Sequence, residues 1–191
     1  VVVPRYGPGV LGGAETLARG LVLKAVRRGW KVEVWTTCAR SHYSWENVWP
    51  AGQQEIEGVV VRRFLITHWN PDLWYALDAR LDIQSCLKSK EQYQWLDAGP
   101  HSALLYEHVA RHAAEFDVLV MLPYAAPLIH YAACMAPARC VVWPCLHDEP
   151  YAYMEPVRLL LENVWGVMFN SPEEGDLAFR LGIQPQRRAV L

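Results

Sequence analysis

The chain has 191 residues, of which 52% are hydrophobic and 20% are charged, and its formal net charge at pH 7 is −2. This length is typical of one domain with a proper core, and the composition excludes global disorder. A net charge so close to zero gives no electrostatic argument for nucleic acid as a partner. No apolar run approaches the roughly 18 residues that a membrane span requires, and no signal peptide is recognisable.

Five cysteines, an odd number, are spread along the chain without a CxxC pair. This pattern favours reduced, buried thiols in a cytoplasmic protein over a disulfide framework or a zinc site. The chain begins without methionine inside an apolar segment, and its last residues, Ala189-Val190-Leu191, are typical of the start of a strand. We therefore expect it to be a fragment of a longer protein.

The first 30 residues predict a strand, a glycine-rich loop and an amphipathic helix in succession. Residues 1–3 are all valine, residues 4–13 contain four glycines, and apolar residues then recur at helical spacing up to Gly29. Backbone N–H groups at Gly12 and Gly13, together with a helix N-terminus, favour a phosphate, a pyrophosphate or a sugar hydroxyl. A strand-to-helix turn that binds nothing explains the same pattern equally well.

Strands and helices alternate in the first third of the chain and again in the last. Strands are predicted to begin near residues 1, 31, 59, 117, 139 and 166, because apolar, β-branched and aromatic residues are concentrated there. A strand, a helix and a second strand within the first 37 residues make a βαβ unit, so a parallel sheet follows. Helices are predicted after Pro127, near 154–164, and after Ser171, which should cap its helix in a capping box with Glu174.

The middle third lacks a convincing strand. Its composition predicts helices near 71–85, 89–97 and 101–114, with a break at Gly99-Pro100 and Ser102 as an N-cap. This helical block, at about 71–114, is a candidate for one wall of a cleft. The whole chain, residues 1–191, is thus predicted to be one α/β domain, Rossmann-like, with a mostly parallel sheet and helices on both faces.

Four loops follow predicted strands at the same edge of this sheet: residues 4–13, residues 122–127, residues 144–151, and the residues after Phe169. Ligands of open α/β sheets bind outside the carboxyl ends of the strands, so we expect these loops to converge on the site. Trp45, Trp49, Trp69 and Trp74 are candidates for the border of an acceptor groove. By contrast, Trp30, Trp35, Trp143 and Trp165 flank apolar strands and are predicted to be core residues.

His147-Asp148-Glu149 is the sharpest polar cluster on these loops. A histidine just past a buried strand can donate to a sugar hydroxyl or a phosphate oxygen, or accept a proton near neutral pH. Asp148 or Glu149 could orient it or cap the following helix. In the alternative interpretation, both carboxylates are only caps and His147 is an ordinary histidine. No metal site is expected.

Taken together, these features resemble the N-terminal half of a GT-B glycosyltransferase of the retaining, family-4-like group. The matching segments are, in chain order, Gly12-Gly13-Ala14-Glu15, residues 32–37, Gly58-Val59-Val60-Val61-Arg62-Arg63, the Tyr124 loop, His147-Asp148-Glu149-Pro150 and Phe169-Asn170-Ser171-Pro172-Glu173-Glu174. They span nearly the whole chain in the order that the family has.

The resemblance implies a Rossmann-like acceptor-binding domain whose glycine loop faces the donor diphosphate across an interdomain cleft. It places His147 near the transferred sugar as the catalytic residue. It further implies that substrate or donor is bound by Gly12, Gly13, Glu15, Tyr124, Asp148, Glu149 and Asn170. The C-terminal donor-binding domain of that family is absent from this sequence, so the chain alone is expected to be inactive.

The same resemblance implies a nucleotide-diphosphate sugar as donor substrate, with no metal or other cofactor, and a sugar or lipid-linked acceptor. The expected partners are the C-terminal domain and, for the full-length protein, a membrane surface to which it binds peripherally; nucleic acid is not expected. A non-catalytic Rossmann-like binding module remains the main alternative. A dinucleotide-dependent oxidoreductase is a weaker one, because the loop does not spell GxGxxG and Glu33 is an ordinary strand residue.

Overall fold

The structure, a computed structural model, describes residues 1–81 and 87–191. The strands are, in chain order, β1 (Glu33–Thr37), β2 (Gly52–Ile56), β3 (Val59–Phe64), β4 (Leu119–Met121), β5 (Cys140–Val142), β6 (Gly166–Phe169) and β7 (Arg188–Val190). The α-helices are α1 (Gly13–Arg27), α2 (Pro71–Asp78), α3 (Ser89–Ala98), α4 (Ala103–His112), α5 (Pro127–Met135), α6 (Glu155–Asn163) and α7 (Pro172–Arg180). Short 3₁₀ turns lie at Ala113–Glu115, Pro137–Arg139 and Pro150–Tyr153.

The strands form one continuous sheet, joined at its centre by residues 1–3. On one side β1, β3 and β2 are neighbours, and on the other β4, β5, β6 and β7 follow in order. Val2 bridges Trp35 and Met121 in parallel, with its N–H donating to the Val120 carbonyl at 2.8 Å. Among the described strands, β2 alone runs antiparallel to its neighbour. The prediction of a mostly parallel sheet is confirmed.

Consecutive strand residues face opposite sides of a sheet, and this alternation builds two separate cores. One core packs Val3, Val34 and Val61 against Ala18 and Val22 of α1. The other packs their neighbours against the remaining helices; its strand members include Val2, Trp35, Met121, Val142 and Phe169. The helices therefore lie on both faces, as right-handed crossovers require when the chain builds a sheet outward in two directions from its centre.

Strand β2 was not predicted. It is an exposed edge strand with the polar sequence Gly-Gln-Gln-Glu-Ile, so it lacks the apolar alternation that marks a strand. A two-residue turn at Glu57 and Gly58, with φ of 54° and 77°, folds it back onto β3. Backbone torsions of this kind match the twist of a hairpin.

Several predicted details are wrong. Helix α2 ends at Asp78 rather than near residue 85, and residues 82–86, with Cys86, lie outside the described residues. Trp30 and Trp165 are 62% and 45% exposed, whereas the other two predicted core tryptophans are buried. Both exposed rings are adjacent to strands but lie just outside them, where the alternation of faces no longer applies. The described cysteines, Cys38, Cys134, Cys140 and Cys145, are free thiols.

Candidate functional site

The order of the strands reverses at residues 1–3. The chain proceeds from there to β1 and β3 on one side, and later from β4 to β7 on the other. The loop before α1 and the loop after β4 consequently leave the sheet side by side at its carboxyl edge. Such a reversal opens a crevice between adjacent loops, which is where open α/β sheets bind ligands.

A buried ion pair holds the glycine loop. The Arg5 guanidinium lies 2.5 Å from the Glu15 carboxylate, both side chains are about nine-tenths buried, and Arg5 also donates to the Arg40 carbonyl at 3.3 Å. A Cβ on Gly12 would overlap the Glu15 carboxylate, whereas a Cβ on Gly13 would meet no atom within 4 Å. Glu15, predicted to bind substrate, therefore lies beneath the loop in an ion pair, and Gly13 faces open space.

The loop after β5 begins at Cys145, whose φ of 55° lies in the left-handed region. A non-glycine residue rarely takes that conformation except where a turn or a functional site imposes it. His147 and Asp148 follow and are exposed, and Glu149 is half-buried. The loop thus turns sharply off the strand and presents His147 to solvent.

Among the described residues, neither carboxylate of the His147 cluster orients the imidazole or caps the following 3₁₀ turn. Asp148 accepts a hydrogen bond from the Tyr153 hydroxyl at 2.7 Å, and Glu149 accepts one from the Tyr124 hydroxyl at 2.6 Å. Within the described residues neither carboxylate bonds to the His147 imidazole; the Glu149 backbone N–H donates to the His147 carbonyl at 3.0 Å, and Glu149 precedes its 3₁₀ turn without a side-chain cap. Burial and the Glu149 carboxylate both raise the pKa of Tyr124 far above its usual range, so its hydroxyl stays protonated as the donor.

Glu174 connects two of the loops. Its buried carboxylate accepts hydrogen bonds from the backbone N–H groups of Leu146 and Asn170. The Ser171 hydroxyl caps α7 by accepting from the Glu174 N–H at 3.4 Å, as predicted. The other half of the predicted capping box is wrong, because the carboxylate reaches past Ser171 to the neighbouring loop.

Asn170 and Cys145 complete the connection between the loops. The Asn170 side-chain oxygen accepts from the Trp143 indole N–H at 2.8 Å. Burial raises the pKa of the Cys145 thiol to about 11; the Asn170 side chain lowers it, and the Glu174 and Glu15 carboxylates raise it. Cys145 also packs against the core on the α1 side of the sheet, which contains Tyr6 of the glycine loop and Ala18 of α1. The predicted site residues Glu15, His147 and Asn170 thus come from loops that meet around this thiol.

A surface cleft of about 310 Å³ lies on the α7 side of these loops, lined by His147, Asp148, Asn170, Ser171, Glu173 and Arg180, among others. The lining combines an exposed imidazole, an α-helix N-terminus and a guanidinium. These groups can donate hydrogen bonds to hydroxyl or phosphate oxygens. Of the predicted site residues, His147, Asp148 and Asn170 line this cleft; the others, Gly12, Gly13, Glu15, Tyr124 and Glu149, do not.

Aromatic side chains flank the loop on the side of the helical block. Tyr151 lies 5.2 Å from Trp95 between ring centroids, and Trp95 lies 5.5 Å from Trp74. The Asp78 carboxylate accepts from the Tyr151 hydroxyl at 2.7 Å and from the Trp95 indole at 3.1 Å. The helical block therefore contacts the end of the His147 loop through Tyr151, but none of its described residues lines the cleft beside His147.

Sequence reasoning missed Arg5, Tyr151 and the connecting role of Glu174. Arg5 and Glu15 are ten residues apart in a loop of irregular backbone, so no periodicity relates them. Glu174 fits the pattern of a local capping box, so the sequence offers no reason to expect its contact with the backbone of Leu146. A charged residue directly after an apolar strand, such as Arg5, is the signal that could have drawn attention to a buried partner.

No group of three His, Cys, Asp or Glu side chains among residues 1–81 and 87–191 is arranged to hold a metal ion. Over the same ranges, no helix combines the length and the apolar character needed to cross a bilayer.

Comparisons with known proteins point to a fold. No protein-family model matches the chain, and no curated protein matches it in sequence. Among solved structures, it is similar to sucrose-phosphate synthase from Thermosynechococcus elongatus, at 12% identity and a TM-score of 0.54, over 100% of this chain and 87% of that one. At this identity the likeness establishes the fold alone: an α/β domain with a parallel sheet flanked by helices, consistent with one half of a GT-B architecture.

Proposed function

We propose that the chain is the acceptor-binding half of a retaining, family-4-like glycosyltransferase, which moves a sugar from a nucleotide-diphosphate sugar to a hydroxyl acceptor. The observation that carries the proposal is the meeting of the glycine loop, the His147 loop and the α7 terminus at the reversal of strand order. The fold likeness to a sucrose-phosphate synthase supports the same class of protein.

The backbone amides at the start of α1 and the imidazole of His147 suit the transfer of a sugar away from a diphosphate. The amide groups at the start of α1, next to Gly12 and Gly13, can stabilise negative charge on the departing diphosphate. The imidazole of His147, on an exposed residue and without a hydrogen bond to any described residue, is available to bind the sugar or exchange a proton. Catalysis on this side of the cleft would consist mostly of positioning and electrostatic stabilisation.

The acceptor side is assigned to the helical block. Trp74 and Tyr151 are half-buried and pack against the buried Trp95 beside the His147 loop, and exposed aromatic surface packs well against the C–H faces of sugars. A sugar or lipid-linked acceptor fits such a wall. In this proposal the donor nucleotide is bound by a C-terminal domain of the longer cytoplasmic protein, which can associate peripherally with a membrane.

A non-catalytic binding module is the second candidate, and one observation favours it. Glu15, Asp148 and Glu149, the three carboxylates predicted at the site, are all engaged in ion pairs or hydrogen bonds that hold loops. His147 consequently has no carboxylate to orient it within the described residues. A domain that lost transfer but kept its loops would look the same.

The deciding experiment uses the full-length protein that carries this chain. It is incubated with a panel of uridine- and guanosine-diphosphate sugars and simple glycoside acceptors, and release of nucleoside diphosphate is measured. We expect turnover with at least one donor and a loss of about 100-fold in His147→Ala, with folding unchanged. The matched control is His112→Ala, a histidine at the end of α4, near the amino edge of the sheet.

The result that contradicts the proposal is equally definite. If the folded full-length protein turns over no donor, or if His147→Ala and His112→Ala behave alike, His147 is not catalytic and the binding module is favoured. The chain alone should neither transfer nor hydrolyse sugar. Calorimetry with nucleoside diphosphates should give a dissociation constant no tighter than about 1 mM, or roughly 4 kcal/mol of binding free energy.

A further inference from the structure

The amino edge of the sheet, opposite the candidate site, carries two exposed tryptophans. Trp30 lies just before β1 and Trp165 just before β6, and their side chains are 62% and 45% exposed. Four steps across the sheet separate these two strands, so at about 4.8 Å a step the two residues lie roughly 19 Å apart. Tryptophan is mostly buried in folded proteins, so a pair of exposed rings on one edge indicates a surface that contacts something else.

Three cationic side chains surround Trp30 in the sequence. Arg27, Arg28 and Lys31 lie within three residues of it, at the end of α1 and in the turn that follows, and all three are exposed. None forms an ion pair with any described residue. The helix dipole favours the two arginines at the end of α1, but Lys31 lies beyond the helix and its charge has no such role.

Three more cations lie beside Trp165. The Arg187 guanidinium lies over the Trp165 ring, 5.0 Å from its centroid, and Arg188 is the first residue of β7, the next strand of the sheet. Arg139 directly precedes β5, and the Trp165 N–H donates to the carbonyl of Pro137 in the same turn at 2.8 Å. These arginines are also exposed and have no ion pair with a described residue. Each exposed tryptophan is therefore accompanied by three cations.

The carboxylates at this edge do not offset the cations. Three of them are already engaged in ion pairs or hydrogen bonds within the described residues: Glu33 with Arg62, Glu57 with Arg19, and Glu115 with His112. Asp117 is exposed there without an ion-pair partner among the described residues. The chain as a whole has 18 Lys and Arg against 20 Asp and Glu. Its nearly neutral total therefore conceals a positive amino edge, which attracts anionic surfaces.

An anionic bilayer matches this edge better than nucleic acid does. Nucleic acid bases stack on free aromatic faces, but the Arg187 guanidinium already covers one face of the Trp165 ring. Indole rings at a protein surface enter the headgroup layer of a bilayer, and the cations around them are attracted to anionic lipid. Val118, which is 43% exposed just before β4, adds apolar surface between the two tryptophans.

We propose that the amino edge of the sheet, from Trp30 to Trp165, docks on a bilayer surface that carries anionic lipid. This docking depends on charge and exposed indole surface, and sugar transfer is not needed for it. A consequence for the acceptor rests on the proposed function. With the amino edge on the bilayer, the carboxyl edge and His147 face away from it, so the acceptor that reaches the site is a dissolved sugar rather than a lipid-linked one.

The test is co-sedimentation of the chain with vesicles of phosphatidylcholine alone or with about 30% phosphatidylglycerol, at about 0.1 M NaCl. We expect at least about tenfold stronger partition into the anionic vesicles, and its loss at about 0.5 M NaCl because salt screens the attraction. Lys31→Glu/Arg188→Glu should weaken partition at least about tenfold. Trp30→Ser/Trp165→Ser should weaken it about three- to tenfold. Circular dichroism checks that each variant is folded.

The matched control is Arg40→Glu/Lys90→Glu, which changes the net charge equally at exposed positions that do not precede a strand of the sheet. It should partition as the parent chain does. The proposal is overturned if the chain does not prefer anionic vesicles, or if the two charge-reversal variants lose partition equally. Tighter binding to a DNA duplex of about 20 base pairs at the same salt would assign the edge to nucleic acid instead.

The outcome for docking is separate from the outcome for sugar transfer, because vesicle binding is measured on the chain alone. Vesicle binding by the chain without turnover in the full-length protein would support docking and contradict the proposed function. Turnover without vesicle binding would support the proposed function and overturn docking at the amino edge.

Discussion

The two loops that meet at the candidate site are held in different ways. The glycine loop contains a local ion pair between Arg5 and Glu15, which are ten residues apart, and it also accepts a hydrogen bond from Arg63 of β3 at the Tyr6 carbonyl, at 2.6 Å. The His147 loop depends on contacts from other elements: Tyr124 is 25 residues from its partner Glu149, and Glu174 is 28 from its partner Leu146. The first loop thus has a buried ion pair of its own, whereas the side-chain contacts named for the second come from other elements.

This difference separates residues that hold the site from residues free to bind. In both loops the carboxylates are engaged in supporting contacts, so they are poor candidates for ligand binding. What remains free is backbone at the start of α1 and the imidazole of His147. We therefore expect substitutions of the residues that hold the loops to lower stability, and substitutions of the free residues to weaken ligand binding.

The largest expected effect is at Glu15. Glu15→Ala leaves the Arg5 guanidinium buried without its partner, and breaking such a pair costs about 3 to 5 kcal/mol. The free energy of unfolding in urea measures it. The double variant Arg5→Met/Glu15→Leu should recover most of the loss, because replacing both charges by apolar groups removes the unpaired charge.

The matched control for Glu15 is Glu57→Ala, which breaks the ion pair with Arg19 on the surface. Solvent screens that pair, so little change in stability is expected. If Glu15→Ala were as mild as Glu57→Ala, the glycine loop would not depend on its ion pair.

The next largest effect is at Glu174. Glu174→Ala removes the acceptor for two backbone N–H groups, at Leu146 and Asn170, and hydrogen bonds to a charged group contribute about 1.5 to 3 kcal/mol. We expect a loss of about 2 to 3 kcal/mol by urea unfolding. Glu173→Ala, at the exposed neighbouring position, should leave stability unchanged; equal effects would mean that Glu174 acts only on α7.

Tyr124 should have a smaller effect. Tyr124→Phe keeps the buried ring and removes the hydroxyl that donates to Glu149, for a loss of about 1 kcal/mol. Tyr153→Phe makes the same change at the exposed pair with Asp148, and its stability should match the parent chain. A Tyr124→Phe variant as stable as Tyr153→Phe would show that this hydrogen bond does not hold the His147 loop.

The sheet could be predicted because its signals are local. Apolar strands that alternate with helices, and caps such as Ser102 and Ser171, depend on residues a few positions apart. Strand β2 was not predicted because it is an exposed edge strand without an alternating apolar face. The sequence predicted that the first helix of the middle third ends near residue 85, because residues that favour a helix continue past Asp78. The structure shows that α2 ends at Asp78.

The candidate site was harder to predict than the sheet, because each polar side chain there can bind either a ligand or another residue of the chain. The sequence indicated that Glu15, Asp148 and Glu149 lie at the right edge, but it could not tell a carboxylate that binds ligand from one that holds a loop. That choice depends on Arg5, Tyr153 and Tyr124, which only the folded chain brings into contact.

The smallest expected effect on stability is at Gly13. This position most directly tests whether residues that hold the loops differ from residues that bind ligand. A Cβ at Gly13 meets no atom within 4 Å, so Gly13→Ala should change the free energy of unfolding by less than about 1 kcal/mol. Gly12→Ala, one residue earlier, should lose about 1 to 3 kcal/mol, because its Cβ overlaps the Glu15 carboxylate that Arg5 holds in place and its φ of 157° suits glycine. Urea unfolding of the two variants gives the comparison.

In the full-length protein, Gly13→Val should reduce turnover while keeping the parent's stability, since the side chain lies where a diphosphate would approach the α1 amides. If Gly13→Val turns over substrate as the parent does, the start of α1 is only a turn between strand and helix.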